Sequence, residues 1–389
     1  MISLVLAAAL TSLPPRPEPP GPESWAFKSE LASDTEDSKY SPGREPWLKE
    51  RISRCFFGPI KREPYNRDEL MDDVDYYPDG YLAKLRRDGI NGLWITVEFH
   101  EIAKTRFFPR DPSAEKRLSK LSKVVEKCKR YGIKVWIFVL EPKWLKEDHP
   151  FRKANPGMFV QRGDHFAMCT ELPEVKEYLS TAAYDIFSRV PGLGGIIGIT
   201  HGEDITSCFS YNGRGCKRCE KLPRWKQHYN LVEPLIKGAR RANREARVIS
   251  WFYQPEAQNE RPQWVYDCAG HLPDGVTLMY NFESGLLAKQ CDRWRIGGDY
   301  WLSKPGPGAP FAKFADVAKS CGKKLSAKIQ MACSHEMATV PYVPVPGLLY
   351  RKFKAMRGCG VDSAMLSWYF GNYPCVMSRA AGRLAYDDF

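Results

Sequence analysis

The sequence predicts an α/β chain folded as a (β/α)8 barrel, with an extended proline-rich arm ahead of it. Short apolar runs recur eight times from about residue 51 onward, helical patterns separate most of them, and the runs are apolar at nearly every position. The last point matters because strands buried on both faces, as in a parallel sheet, lose the alternation that marks a half-exposed strand.

The chain has 389 residues, a length that fits two domains or one large barrel. Residues 1–50 read as an arm or linker and residues 51–389 as the barrel. The segment "LPPRPEPPGPES" heads a stretch, 13–46, too rich in Pro, Glu, Ser and Asp to bury a core of its own. The start, "MISLVLAAAL", is like a signal-peptide core but has no Lys or Arg before it. A helix packing on the barrel, or the tail of an upstream domain, is the other reading, and a cytoplasmic protein is the expectation.

The eight runs are "RCFFGPI" (54–60), "GLWITVEF" (92–99), "IKVWIFVLEP" (133–142), "GGIIGITHGED" (194–204), "RVISWFYQ" (247–254), "GVTLMYNFES" (275–284), "KLSAKIQMA" (324–332) and "VDSAMLSWYF" (361–370). Between them, "SAEKRLSKLSKVVEKCKRYG" (113–132) sets Leu118, Leu121, Val125 and Cys128 at the spacing of one buried helical face. The stretch "EVKEYLSTAAYDIFSRV" (174–190) is helical as well. Gly89, Gly132 and Gly360 stand where helices hand over to strands. An open doubly wound sheet is the rival fold, but no G-x-G-x-x-G opens a helix after the first strand.

The net charge is +12, with 27% charged and 43% hydrophobic residues. Lys and Arg are spread along the chain and no nucleic-acid-binding signature is present, so the charge reads as a basic surface suited to an acidic glycan. No segment is long and apolar enough to span a membrane. Twelve cysteines are too few for a disulfide scaffold in a chain of this size, and Cys55 and Cys333, in strand-like runs, read as buried thiols.

In such a barrel the chemistry stands at the C-terminal ends of the strands. Those ends carry Glu98 and His100; Glu141, Lys143 and Trp144; His201, Glu203 and Asp204; Trp251, Tyr253 and Gln254; Tyr280, Asn281 and Glu283; Gln330, His335 and Glu336; and Trp368, Tyr369, Asn372 and Tyr373. Aromatic faces stack on the C–H faces of sugars, side-chain amides and carboxylates bind hydroxyls, and a pair of acids cleaves the glycosidic bond. Glu203 and Asp204 draw most attention, because two carboxylates directly after a buried strand are costly unless their charge is used. Glu98 and Glu283 read as caps or ion-pair partners, and Trp94 and Trp136 as core.

Cys208, Cys216 and Cys219 form C-x7-C-x2-C in a loop with Asn212, Gly213 and Gly215. A tight C-x2-C turn aims two thiolates at one zinc ion. Cys169 is the best candidate for a fourth ligand and His201 the second. The site would be a structural zinc, and no cofactor is needed for catalysis.

The stretches "YYPDGYLAKLRRDGINGLWITVEF", "GIKVWIFVLEP", "CTELPEVKEYL", "GLGGIIGITHGED", "AKIQMACSHEMATVPYVPV" and "LSWYFGNYP" resemble a group of bacterial glycoside-hydrolase-like barrels, distantly similar to β-N-acetylhexosaminidases. The resemblance covers about residues 50–375 and implies a TIM barrel acting on an oligosaccharide or glycoside. In those hexosaminidases an Asp-Glu pair follows strand four; here the order is Glu203 then Asp204. In the large retaining-glycosidase superfamily the acid/base Glu ends strand four and the nucleophile Glu ends strand seven, and by strand count Glu203 and Glu336 take those places. The Asn that often precedes the acid/base there is Gly202 here.

The expectation is a retaining glycoside hydrolase with Glu203 as acid/base and Glu336 as nucleophile. Asp204, Glu141 and His201 would tune the acid or bind hydroxyls, Trp251, Trp368, Tyr369 and Tyr373 would form the sugar platform, and Tyr253, Asn281 and Gln330 would complete the binding surface. A substrate-assisted N-acetylhexosaminidase using Glu203 and Asp204, a non-catalytic carbohydrate-binding barrel, and a metal-dependent hydrolase on His100, His201 and His335 are the alternatives.

Overall fold

A computed structural model describes residues 43–389 except 57–59, 62, 64–65, 203, 209, 211–215, 254–260, 299–300 and 338–339. Eight parallel strands close into a barrel: β1 (Glu50–Arg54), β2 (Gly92–Thr96), β3 (Lys134–Val139), β4 (Leu193–His201), β5 (Arg247–Phe252), β6 (Val276–Asn281), β7 (Leu325–Lys328) and β8 (Val361–Met365). Each is followed by a helix: α1 (Asp79–Arg87), α2 (Ala114–Arg130), α3 (Pro173–Arg189), α4 (Arg224–Ala242), α5 (Gln263–Gly270), α6 (Ala309–Ser320), α7 (Pro346–Gly358) and α8 (Val376–Leu384). The ring closes where Ile52 of β1 lies opposite Met365 of β8 and Gly92 of β2.

Alternation along the strands sorts side chains into two cores. Val135, Ile137 and Val139 of β3 face the helices, whereas Trp136 and Phe138 join Ile52, Trp94, Ile197 and Met279 inside the barrel. A Cβ on Gly195 would stand 2.5 Å from the Trp136 ring and 2.3 Å from the Arg247 carbonyl, so the glycine pair at the start of β4 makes room for an indole in the barrel's interior. Leu118, Leu121, Val125 and Cys128 are all buried on α2, as their spacing predicts. Gly89, Gly132 and Gly360 take left-handed φ values of 78°, 67° and 73° after helices α1, α2 and α7.

The first strand differs from expectation: it is "ERISR" (50–54), not 54–60. Its charges conceal it in the sequence and are accommodated individually. Arg51 donates to the carbonyls of Gly89 (2.6 Å) and Leu48 (2.5 Å), and the Arg54 guanidinium lies 4.7 Å from the Trp94 ring centre and 4.4 Å from that of Tyr369. The strand is led in by Trp47, whose indole donates to the Leu384 carbonyl and packs edge-on against Phe353 and Phe389.

Among the described residues, no helix is long and apolar enough to cross a membrane. Beyond β3 a small antiparallel sheet (Leu145–Lys146, His165–Met168, Phe159–Arg162) rises from the rim and delivers the chain to Cys169. The connection from β4 to α4 spans residues 202–223 on that side.

Candidate active site

The C-terminal mouth of the barrel is built on an aromatic column. Trp251 is fully buried, and its Nε1 donates to Asn281 Oδ1 at 2.9 Å. Trp368 packs on it with ring centres 4.8 Å apart, and Trp94, Tyr253 and Tyr369 surround Trp368. This corrects part of the expected sugar platform: Trp251 and Asn281 are interior partners with no surface for a ligand, and Trp368 is nearly covered. Tyr369, 40% exposed, is the open end of the column, with Tyr253 partly buried beside it. Tyr373 leaves the column and packs edge-on against Phe56 at 4.7 Å.

Two further residues stand away from the mouth. His201 packs against Phe252 and Trp264 on the helix side of the sheet, where burial and the cationic Arg261 and Arg224 push its imidazole down to about 4. Simple alternation with Ile197 and Ile199 would have put it inside; a register irregularity between Ile199 and His201 turns it outward. Gln330 is buried at the end of β7, its N–H donating to Glu283 and its carbonyl accepting from Lys352. Glu283 and Lys352 form a fully buried ion pair that fastens the ends of β6 and β7 to α7.

The carboxylates take distinct environments. Glu203 and Gln254 lie outside the described residues. Asp204, half-buried, accepts from Trp144 Nε1 at 2.9 Å and from the Ile205 N–H at 2.7 Å. Glu141 is buried and accepts from the N–H groups of Phe99 (2.8 Å) and Lys143 (3.1 Å) and from Tyr178 Oη (3.3 Å). Desolvation outweighs these donors and raises its carboxyl to about 7.

Glu336 does not end β7, where Lys328 stands. It sits in a 3-10 turn (His335–Met337) after the short strand Cys333–Ser334. Burial would raise its carboxyl, but it accepts from the Ser303 and Leu302 N–H groups, Ser303 Oγ and Ser334 Oγ, and these donors hold it below the usual range.

A cleft of about 400 Å³ is walled by Phe108, Lys143, Trp144, His149 and Tyr178, and Trp144 links it to Asp204. Sequence reading identified Trp144 and Lys143 but missed Phe108, His149 and Tyr178, which come from a loop and from helices rather than from strand ends. It also passed over the exposed aromatics of the rim. Of the six exposed aromatic side chains among the described residues, Trp294, Tyr342, Tyr369 and Phe370 stand in loops or hairpins that follow β6, β7 and β8. Arg54 and Lys328, inward-facing cations at strand ends, went unnoticed too. A charged residue breaking the end of an apolar run was the available signal.

The four cysteines converge. Cys169 Sγ is 3.6 Å from those of Cys216 and Cys219, and Cys208 Sγ is 3.5 Å from that of Cys219. His201, the other candidate ligand, is not part of this cluster. A second group, Glu98, His100 and Glu101, is tied up in ion pairs with Lys61 and Lys143.

No protein-family model matches the chain, and no curated protein matches it in sequence. Solved structures do match in fold. A glycoside hydrolase family 138 enzyme targeting pectin rhamnogalacturonan II aligns with a TM-score of 0.55 at 14% identity, over 88% of this chain and 39% of its own. A Bacteroidetes-affiliated family 5 cellulase aligns at 0.51 and 13% identity, over 87% of this chain and 91% of its own. A family 5 lichenase from Caldicellulosiruptor, solved with cellotetraose, aligns at 0.50 and 10% identity, over 91% and 99%. The chain thus has the (β/α)8 fold these glycoside hydrolases share, and spans well under half of the first.

Proposed function

We propose that the protein is a glycoside hydrolase that cleaves an oligosaccharide or glycoside at the C-terminal mouth of the barrel, with the Trp144 cleft and the aromatic rim binding it. The observation that carries this is the placement of Asp204: it follows β4 and accepts a hydrogen bond from Trp144, a wall residue of the aromatic cleft, and the adjoining residue is Glu203. Glu203 serves as acid/base, with Asp204 as the negative neighbour that favours its protonated form. Glu336 serves as nucleophile; its four donors keep it ionised, as a nucleophile must be. Exposed rim aromatics, Tyr369 foremost, stack on sugar rings. The fold shared with cellulose- and pectin-directed hydrolases supports the substrate class.

The test is release of the aglycone from a panel of aryl glycosides, N-acetylated ones included. Wild-type protein is expected to turn over at least one, and Glu203→Gln to lose poor leaving groups before activated phenols. Activity lost on N-acetylated substrates alone in Asp204→Asn, with Glu336→Gln unaffected, assigns the substrate-assisted mechanism instead.

One observation favours a second reading. Three of the four hydrogen bonds that ionise Glu336 also make it an anchor for residues 302–303. If wild type binds glycans and hydrolyses none of the panel, the protein is a carbohydrate-binding barrel and Glu336 is a loop fastener.

A further inference from the structure

We infer that Cys169, Cys208, Cys216 and Cys219 bind one zinc ion that clamps the β4–α4 connection to the small sheet beyond β3. The four Sγ atoms are buried and all lie within 4.8 Å of one another, with close pairs at 3.5–3.6 Å. Four sulfurs at about 2.3 Å from a tetrahedral zinc are separated by roughly 3.8 Å, close to the spacings found. A disulfide needs about 2.05 Å, and none of the twelve cysteines is in one. An iron–sulfur cluster places its own sulfides and irons between the thiolates, so thiols this close enclose a single ion.

The surroundings point the same way. The Cys208 N–H donates to the Met168 carbonyl and the Cys169 N–H to that of Met158, so two of the ligands are held by the small sheet and the turn that leads into it. The turn between the other two is closed by bonds from the Cys219 and Glu220 N–H groups to the Cys216 carbonyl, while buried Gln227 at the start of α4 caps the Cys219 carbonyl at 2.7 Å. Binding releases four thiol protons and leaves a site of net charge −2. Arg162 donates to the Cys208 carbonyl, and Lys217 and Arg218 lie within the ligand turn itself. A long strand-to-helix connection gains order from a constraint that closes it, and a metal clip supplies one. Because that connection begins at residues 202–204, the ion acts on the proposed site only through position.

The test uses the full chain purified without chelator. Elemental analysis is expected to give about one zinc per chain, and replacement by cobalt the intense visible bands of a tetrahedral thiolate site. Cys216→Ser and Cys169→Ser are expected to lose the metal, whereas Cys321→Ser, at an exposed cysteine, keeps it. Should the ligand variants fail to fold, titration of wild type with a mercurial in the presence of a zinc-sensing dye decides: the zinc is expected to leave in step with modification of these four thiols. Metal-free protein whose four thiols react freely, a disulfide among them, or stoichiometric iron in place of zinc each overturns the assignment. None of these readouts depends on glycosidase activity.

Discussion

Glu141 offers a prediction in which the structure sets both sign and size. Its carboxyl is raised from the ordinary 4.5 to about 7 in the folded protein, chiefly by desolvation. Between these values the native state binds a proton that the unfolded state has released, so stability falls as pH rises. From about pH 5 to about pH 8 the loss attributable to this one group is roughly 2–3 kcal/mol. Glu141→Gln cannot titrate and should be spared that loss. The substitution has its own cost, because an amide NH2 would face the Lys143 N–H where a carboxylate oxygen now accepts. That cost is independent of pH. The readout is therefore the difference in slope, measured as denaturant unfolding of wild type and variant across that interval. Wild type should lose stability relative to the variant by about 2–3 kcal/mol. Parallel pH profiles would refute the claim that this carboxyl is held protonated by burial.

Other outcomes follow from contacts already described. Lys352→Met strands the buried Glu283 carboxylate and removes donors to the Gln330 and Trp301 carbonyls, so urea unfolding should show a loss of about 3–5 kcal/mol, recovered in part by adding Glu283→Leu. Gly238→Ala places a Cβ 2.1 Å from the Ser180 carbonyl where α3 meets α4; despite alanine's better helix propensity, thermal unfolding should show a net loss of about 1–3 kcal/mol. Trp144→Phe removes the indole donor from Asp204 while keeping the cleft wall, and kcat/KM for an accepted glycoside should fall roughly tenfold, the worth of one hydrogen bond to a charged group.

The barrel was legible because its strands, buried on both faces, show as apolar runs, and helices such as α2 carry clean amphipathic spacing. Where reading failed, a local exception to that rule was responsible. Strand β1 buries Glu50, Arg51 and Arg54, so its charges moved the expected strand downstream. His201 was read as a site residue because it ends the fourth run, but one irregularity beside Ile199 turns it to the helix side. Trp251 looked like a platform because it stands near a strand end, but the barrel's interior at that level needs a large side chain and Asn281 satisfies its N–H. Glu336 was counted to the end of β7, yet the strand stops at Lys328 and a hairpin carries the glutamate onward. Cys169 was singled out as lying between the third and fourth strands, and the structure brings its Sγ within 3.6 Å of those of Cys216 and Cys219. The Trp144 cleft was not foreseen, because Phe108 and His149 come from connections and Tyr178 from helix α3, and no local pattern records their approach.

The central claim is that two carboxylates, Glu203 and Glu336, cleave a glycosidic bond through a covalent intermediate. The measurement that meets it most directly is mass spectrometry of the protein after incubation with an activated 2-fluoro glycoside of the sugar it accepts, followed by peptide mapping. The account predicts one glycosyl adduct per chain, on the peptide carrying Glu336, and its absence in Glu336→Gln. An adduct on another residue, or full turnover by Glu336→Gln with no adduct at all, would contradict it.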